Sequence, residues 1–217
     1  MEVHGFCDPK FDAVREAMVQ NFDQHGDVGA SVALTLEGEF VCDLWAGVTC
    51  EGGTDPWEED TLVNVWSTTK TMAALCALVL SDRGLLDLHA PVSNYWPEFA
   101  QNGKEQVLVS HCLAHSAGLS GLDDIISNET LYDWDAMCRL LAEQAPWWPP
   151  GSASGYHAIT QGHLIGEVIR RITGRTLGQF FAQDIAEPLN ADFHIGTPER
   201  DTAEEKTECD NDAPFSV

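Results

Sequence analysis

An α+β fold, with an antiparallel hairpin followed by a larger set of helices, is what the order of patterns along this chain predicts. Apolar and small residues alternate through 30–36 and continue through 40–48 across the turn signal Glu37-Gly38, as two paired strands require. A nearly unbroken apolar stretch then fills 72–80, and apolar residues return at helical intervals in 133–144 and 156–173.

Ahead of the hairpin, Phe11, Val14, Met18 and Phe22 recur at helical spacing and Gly26 offers a stop, so an amphipathic helix opens the fold. Gly52-Gly53-Thr54-Asp55-Pro56 breaks regular structure after the second strand. The 72–80 stretch, closed by Asp82-Arg83-Gly84, is apolar nearly all round, which places its helix in the middle of a core. Pro91 and Pro97 make 85–99 a loop with short helical turns. Asp133 caps a helix running to Gln144, and Pro146, Pro149, Pro150 and Gly151 stop it. The next helix is predicted from Tyr156 to Thr173 with Gly174 at its end, and a third follows over 177–186. Residues 1–200 read as one domain, and the acidic stretch 201–217 reads as a solvated, disordered end.

Eleven basic against 35 acidic side chains give a formal charge of -24. Such a surface repels phosphate backbones and anionic lipid, so neither nucleic acid nor a membrane is an expected partner. The seven cysteines are odd in number, widely spread and without a C-x-x-C pair, which argues against a disulfide scaffold and for a reducing, cytoplasmic setting. No basic region followed by an apolar stretch marks a signal at the N-terminus. The longest apolar run, 72–80, is far too short to span a bilayer.

Chemistry concentrates at Ser67-Thr68-Thr69-Lys70. Residues three apart on a helix share a face, so Lys70 is expected one turn from the Ser67 hydroxyl. A serine hydroxyl is a poor nucleophile unless a base takes its proton, and a lysine serves when burial or neighbouring cations lower its pKa. The apolar run after Lys70 is expected to supply that burial, while the helix N-terminus offers backbone N–H groups to a developing oxyanion. A second element, Trp148-Pro149-Pro150-Gly151-Ser152-Ala153-Ser154-Gly155-Tyr156-His157-Ala158, delivers a tyrosine to a helix start. Held near Ser67 and Lys70, Tyr156 could relay a proton between nucleophile and leaving group.

These elements, with Gly84-Leu85-Leu86-Asp87-Leu88-His89-Ala90-Pro91-Val92 and Leu113-Ala114-His115-Ser116-Ala117-Gly118-Leu119 between them, stand in the order seen in class C β-lactamase-like serine hydrolases. The resemblance covers 11–196. Tyr156-His157-Ala158 resembles the family's Tyr-x-Asn element with alanine in place of asparagine, the form of the family VIII carboxylesterases. The resemblance implies a β-lactamase/penicillin-binding-protein-like fold, an antiparallel sheet packed with helices beside a mostly helical region. It implies acyl transfer through Ser67 with Lys70 as base and Tyr156 as relay, His157 as a substrate-binding residue, and no cofactor. Where the lactamases use the asparagine amide to hold a substrate amide, alanine offers no hydrogen bond. A small carboxylic ester is therefore the expected substrate, ahead of a β-lactam or a D-amino-acid peptide.

The chain departs from the family in ending at Val217, before the strand that carries the family's third motif, Lys-Thr-Gly or a His/Trp-containing equivalent. It is read as a C-terminally truncated member. Losing that strand's oxyanion donor would cost on the order of 10²–10³ in rate. It would also leave a sheet edge open to solvent or to self-association, and a non-catalytic binding protein of the same fold is the alternative that follows. His111 and His115 are four apart, as two metal ligands on one helix would be, but no third ligand cluster accompanies them and no metal is expected. Gly118-Leu119-Ser120-Gly121-Leu122 lacks the final glycine of a nucleophile elbow.

Overall fold

The computed structural model describes residues 1–196, and these fall into two compact units, Met1–Asn64 and Val65–Gly196. The acidic stretch 201–217 lies outside the described residues.

The first unit is a three-stranded antiparallel sheet with one long helix on it. Strand β1 (Val3–Cys7), helix α1 (Asp12–Gln20), strand β2 (Gly29–Leu36) and strand β3 (Glu39–Gly47) follow in sequence, and the sheet order is β1-β3-β2. The predicted hairpin forms: Glu37 and Gly38 both take positive φ (54° and 88°), the geometry whose twist matches paired strands. Cys42, Leu44 and Ala46 of β3 alternate inward and are buried, and Met18 of α1 closes over Leu44 and Ala46. Helix α1 loosens into a wider turn over Asn21–His25 and ends at Gly26, φ 80°. Strand β1 was not foreseen, because Val3-His4-Gly5-Phe6-Cys7 carries no clear alternation. It makes β3 the central strand and sets Cys7 opposite Cys42, their sulfurs 2.6 Å apart.

The second unit is helical. Helix α2 (Thr69–Asp82) leads into short turns at Val92–Asn94 and Pro97–Phe99, then α3 (Val109–Leu113), α4 (Asn128–Tyr132), α5 (Trp134–Glu143), α6 (Thr160–Thr173), α7 (Leu177–Phe181) and α8 (Glu187–Leu189). Helix α2 packs against α6 and α7 through buried Ala73, Cys76, Ala77 and Leu80, but Leu75 and Leu78 are exposed. The expectation of an enclosed helix is corrected: one face is buried and the opposite face is apolar without being covered. Asp133 caps α5 through the Ala136 N–H at 3.0 Å, as predicted, and Gly174 ends α6 at φ 71°. Helix α6 starts four residues later than expected, because Tyr156 and its neighbours are tied into a turn instead of a helix. Burial pushes the thiols of Cys76, Cys112 and Cys138 up to about 12, so they act as small apolar side chains.

Glu167, on α6, is a buried carboxylate that sequence patterning did not single out. It accepts from Trp134 Nε1 at 2.9 Å and from the Nε atoms of Arg170 and Arg171 at 2.7 Å each. Burial pushes its carboxyl up, and these donors outweigh that, leaving it below its usual value.

Candidate active site

Ser67 lies in a tight turn, Trp66–Thr68, that runs directly into α2. Trp66 before it takes φ 48°, a left-handed conformation that costs a bulky residue about 1–2 kcal/mol. That kind of local strain is found where a side chain must be presented. Lys70 stands one turn on, and its Nζ donates to Ser67 Oγ at 3.1 Å and to the Ala158 carbonyl at 2.6 Å. The predicted pairing on one face is present. The enclosure expected for Lys70 is not: the residue remains partly exposed. Helical side chains lean toward the N-terminus, so Lys70 points back to Ser67 and away from the apolar run that begins at Met72.

Tyr156 joins the pair. Its ring centroid is 5.1 Å from Lys70 Nζ. The Ser67 hydroxyl pulls the phenol down most, burial pushes it up by less, and the Lys70 amine with its charge adds a further pull, leaving it below its ordinary value. A lowered phenol pKa eases the uptake and return of a proton beside the serine. The side chain is 56% exposed, so the phenol is reachable from solvent.

The proline-rich segment 146–157 is strapped to the 115–119 turn. Trp147 N–H donates to the Gly118 carbonyl (2.7 Å), Gly151 N–H to Ser116 (2.9 Å) and Gly155 N–H to His115 (3.0 Å). Two glycines permit the close approach. A Cβ on Gly118, at φ 82°, would sit 2.8 Å from the Trp148 carbonyl oxygen, and one on Gly155 would sit 2.5 Å from the Trp148 ring. At the far end of the strap, Thr160 Oγ1 donates to the Leu119 carbonyl at 2.6 Å, and Gln161 Nε2 to Leu113 at 3.0 Å. These bonds anchor the first turn of α6.

The substrate-binding role expected of His157 does not fit its placement. Its side chain is fully buried, Nδ1 lies 2.6 Å from the Gly155 carbonyl, and Nε2 accepts the Leu119 N–H at 3.2 Å. Both ring nitrogens are engaged inside the protein, so His157 holds the turn beside Tyr156. The i,i+4 relation of His111 and His115 is also broken, because α3 ends at Leu113 and His115 takes φ 58°. His111 Nδ1 instead accepts the Leu108 N–H at 3.2 Å. Among the described residues, no group of three or more His, Cys, Asp or Glu side chains could hold a metal ion. Among them, too, no helix is long and apolar enough to cross a membrane.

The chain is similar to several known proteins. The esterase/beta-lactamase LipL of Mycobacterium tuberculosis is 38% identical over 92% of this chain and 46% of its own length. Esterase EstB of Burkholderia gladioli is 31% identical over 80% of the chain and 49% of its length. Among solved structures, a family VIII carboxylesterase superposes with a TM-score of 0.89 at 47% identity, covering 94% of this chain and 56% of that one. A penicillin-binding protein homologue from Caulobacter crescentus gives 0.90 at 45% identity, covering 94% and 55%. The chain thus spans about half the length of the relatives it matches. Its fold is that of the β-lactamase and penicillin-binding-protein group, represented by a small antiparallel sheet and a set of helices. The family profile described as Beta-lactamase matches residues 14–212, and the chain belongs to that family.

Proposed function

We propose that this chain carries the nucleophilic centre of a serine hydrolase acting on small carboxylic esters. The observation that carries the reading is the 3.1 Å approach of Lys70 Nζ to Ser67 Oγ, with the Tyr156 ring centroid 5.1 Å from the same Nζ. In the reaction, Ser67 Oγ attacks the ester carbonyl and gives its proton to the Lys70–Tyr156 pair. Ser67 lies just ahead of α2, and the positive end of that helix's dipole favours the developing oxyanion. Collapse of the tetrahedral intermediate expels the alcohol, which takes a proton back through Tyr156, and leaves an acyl group on Ser67. Water then attacks the acyl-enzyme, releasing the acid and restoring the serine.

An ester is favoured over a β-lactam because residue 158 offers only a methyl side chain where an amide would be needed to hold an amide substrate. The buried free thiols of Cys76, Cys112 and Cys138 fit a reducing compartment, the cytoplasm. Among the relatives, EstB is named an esterase and LipL an esterase/beta-lactamase. Hydrolysis of p-nitrophenyl butyrate by the wild type and by Ser67→Ala tests the reading. The variant should lose at least about 10³ in rate, and equal rates in the two proteins would overturn the proposal. Turnover of nitrocefin faster than that of the ester would transfer the assignment to lactams.

A further inference from the structure

We infer that His115 is a positioning residue for Tyr156: its ring and its backbone carbonyl together grip the residues on either side of the tyrosine and set where the phenol lies. The inference rests on the reading of Tyr156 as the proton relay.

The grip is made on both flanks. The His115 carbonyl accepts the Gly155 N–H at 3.0 Å and the Ser154 hydroxyl at 3.4 Å. Its Nδ1 accepts the His157 N–H at 3.0 Å. The Ser154–Gly155 peptide ahead of Tyr156 and the Tyr156–His157 peptide after it are thus held by one residue, and His157 Nδ1 on the Gly155 carbonyl holds the peptide between them. The imidazole of His115 restricts the tyrosine side chain as well, with its centroid 4.7 Å from that of the Tyr156 ring at an interplanar angle of 52°. The left-handed φ of 58° at His115 sends carbonyl and side chain to the same strap. A residue needed only for the turn would be glycine or asparagine, whereas a histidine there adds an acceptor and a flat face.

The proton positions follow from the partners. Because His115 Nδ1 accepts, its proton sits on Nε2. His157 is the reverse: Nδ1 donates to the Gly155 carbonyl at 2.6 Å, and Nε2 accepts from Leu119 at 3.2 Å. A second proton on either ring would set one N–H against another. Burial, and for His115 the facing charge of Lys70, push both imidazoles below their ordinary value, in keeping with two neutral rings.

Two measurements test this on the full chain. Histidine ¹⁵N spectra of the wild type should show His115 protonated at Nε2 and His157 at Nδ1. A His115 protonated at Nδ1 could not accept the His157 N–H and would overturn the inference. Variants supply the second. His115→Gly is at ease at positive φ and removes the side chain, while His115→Asn keeps an acceptor, Oδ1, where Nδ1 stood. Readouts are the rate at which a fluorophosphonate labels Ser67 and the titration of Tyr156 in protein carrying ¹³C-labelled tyrosine, of which the chain has 3.

His115→Gly should slow labelling at least about tenfold and return Tyr156 toward about 10. His115→Asn should stay within about threefold of wild type with Tyr156 still lowered. A folded glycine variant with unchanged labelling and titration overturns the proposal, as does an asparagine variant that loses as much as glycine. Should the glycine variant not fold, the tautomers and the asparagine variant decide. Failure of the wild type to label counts against the hydrolase reading alone, and the tautomers together with the tyrosine titration then judge His115.

Discussion

Ser67 and Lys70 are held by a single turn at the start of one helix, whereas Tyr156 reaches the same point from a strap whose next-but-one residue, Ala158, stands 88 positions from Lys70 in the chain. The first pair is local: two side chains on one face, with nothing else needed to bring them together. The tyrosine depends on bonds from 115–119, on two glycines that permit close approach, and on two histidines in defined tautomers. The difference separates two kinds of vulnerability. Damage to the local pair should remove chemistry and leave the fold intact, while damage to the strap should remove both together.

Removing the amine itself should give the largest effect. Lys70→Ala is expected to lower the rate of ester hydrolysis by about 10²–10⁴ while shifting thermal stability by no more than about 0.5 kcal/mol. Activity assays beside a thermal melt check it, and a large loss of stability would break the contrast. Leu80→Ala, deep in the same helix and fully buried, should do the opposite. It should cost about 2–5 kcal/mol in urea denaturation and leave the rate per folded molecule close to wild type. Gly155→Ala sharpens the strap side: its Cβ would strike the Trp148 ring, so about 1–3 kcal/mol of stability should go together with part of the activity. The same melt and assay, run side by side, should show the two losses coupled.

The smallest effect is the pH dependence of the strap. His115 and His157 are both pushed below their ordinary value by burial, with the charge of Lys70 acting on His115 as well. The unfolded chain therefore binds these protons more readily than the native one. Their stabilisation is present in full above about pH 6.5 and is lost as pH falls through the lowered native values. Tyr156 and His157 lie against the His115 ring, and the charge of Lys70, beside Tyr156, acts on it. A melting temperature a few degrees lower at pH 5 than at pH 7.5, with activity lost on the same acid limb, is the expected outcome. Melting curves that coincide across that range would show that the imidazoles are not held neutral.

What could be read from the residues follows the same division. Ser67-x-x-Lys70 declares its own geometry, because helical periodicity alone sets the spacing, and the Glu37-Gly38 hairpin and the Asp133 cap are equally local. The burial of His157 was not legible because a histidine next to such a tyrosine looks identical in sequence whether it faces a cleft or the interior. Its burial is decided by Leu119 and Gly155, which no spacing rule connects to it. The late start of α6 has the same origin, since apolar periodicity continues through Ile159 while the backbone is captured by the strap. Strand β1 was missed because its pairing with β3, and not any pattern of its own, makes it a strand. Glu167 gave no signal beyond an acidic residue followed by two arginines; its burial comes from Trp134 on another helix.

The side-chain nitrogen of Lys70 is moored to a main-chain oxygen, that of Ala158, and every residue type carries such an oxygen. The side chain at 158 is therefore exempt from holding Lys70 and can change without disturbing the Ser67–Lys70 pair.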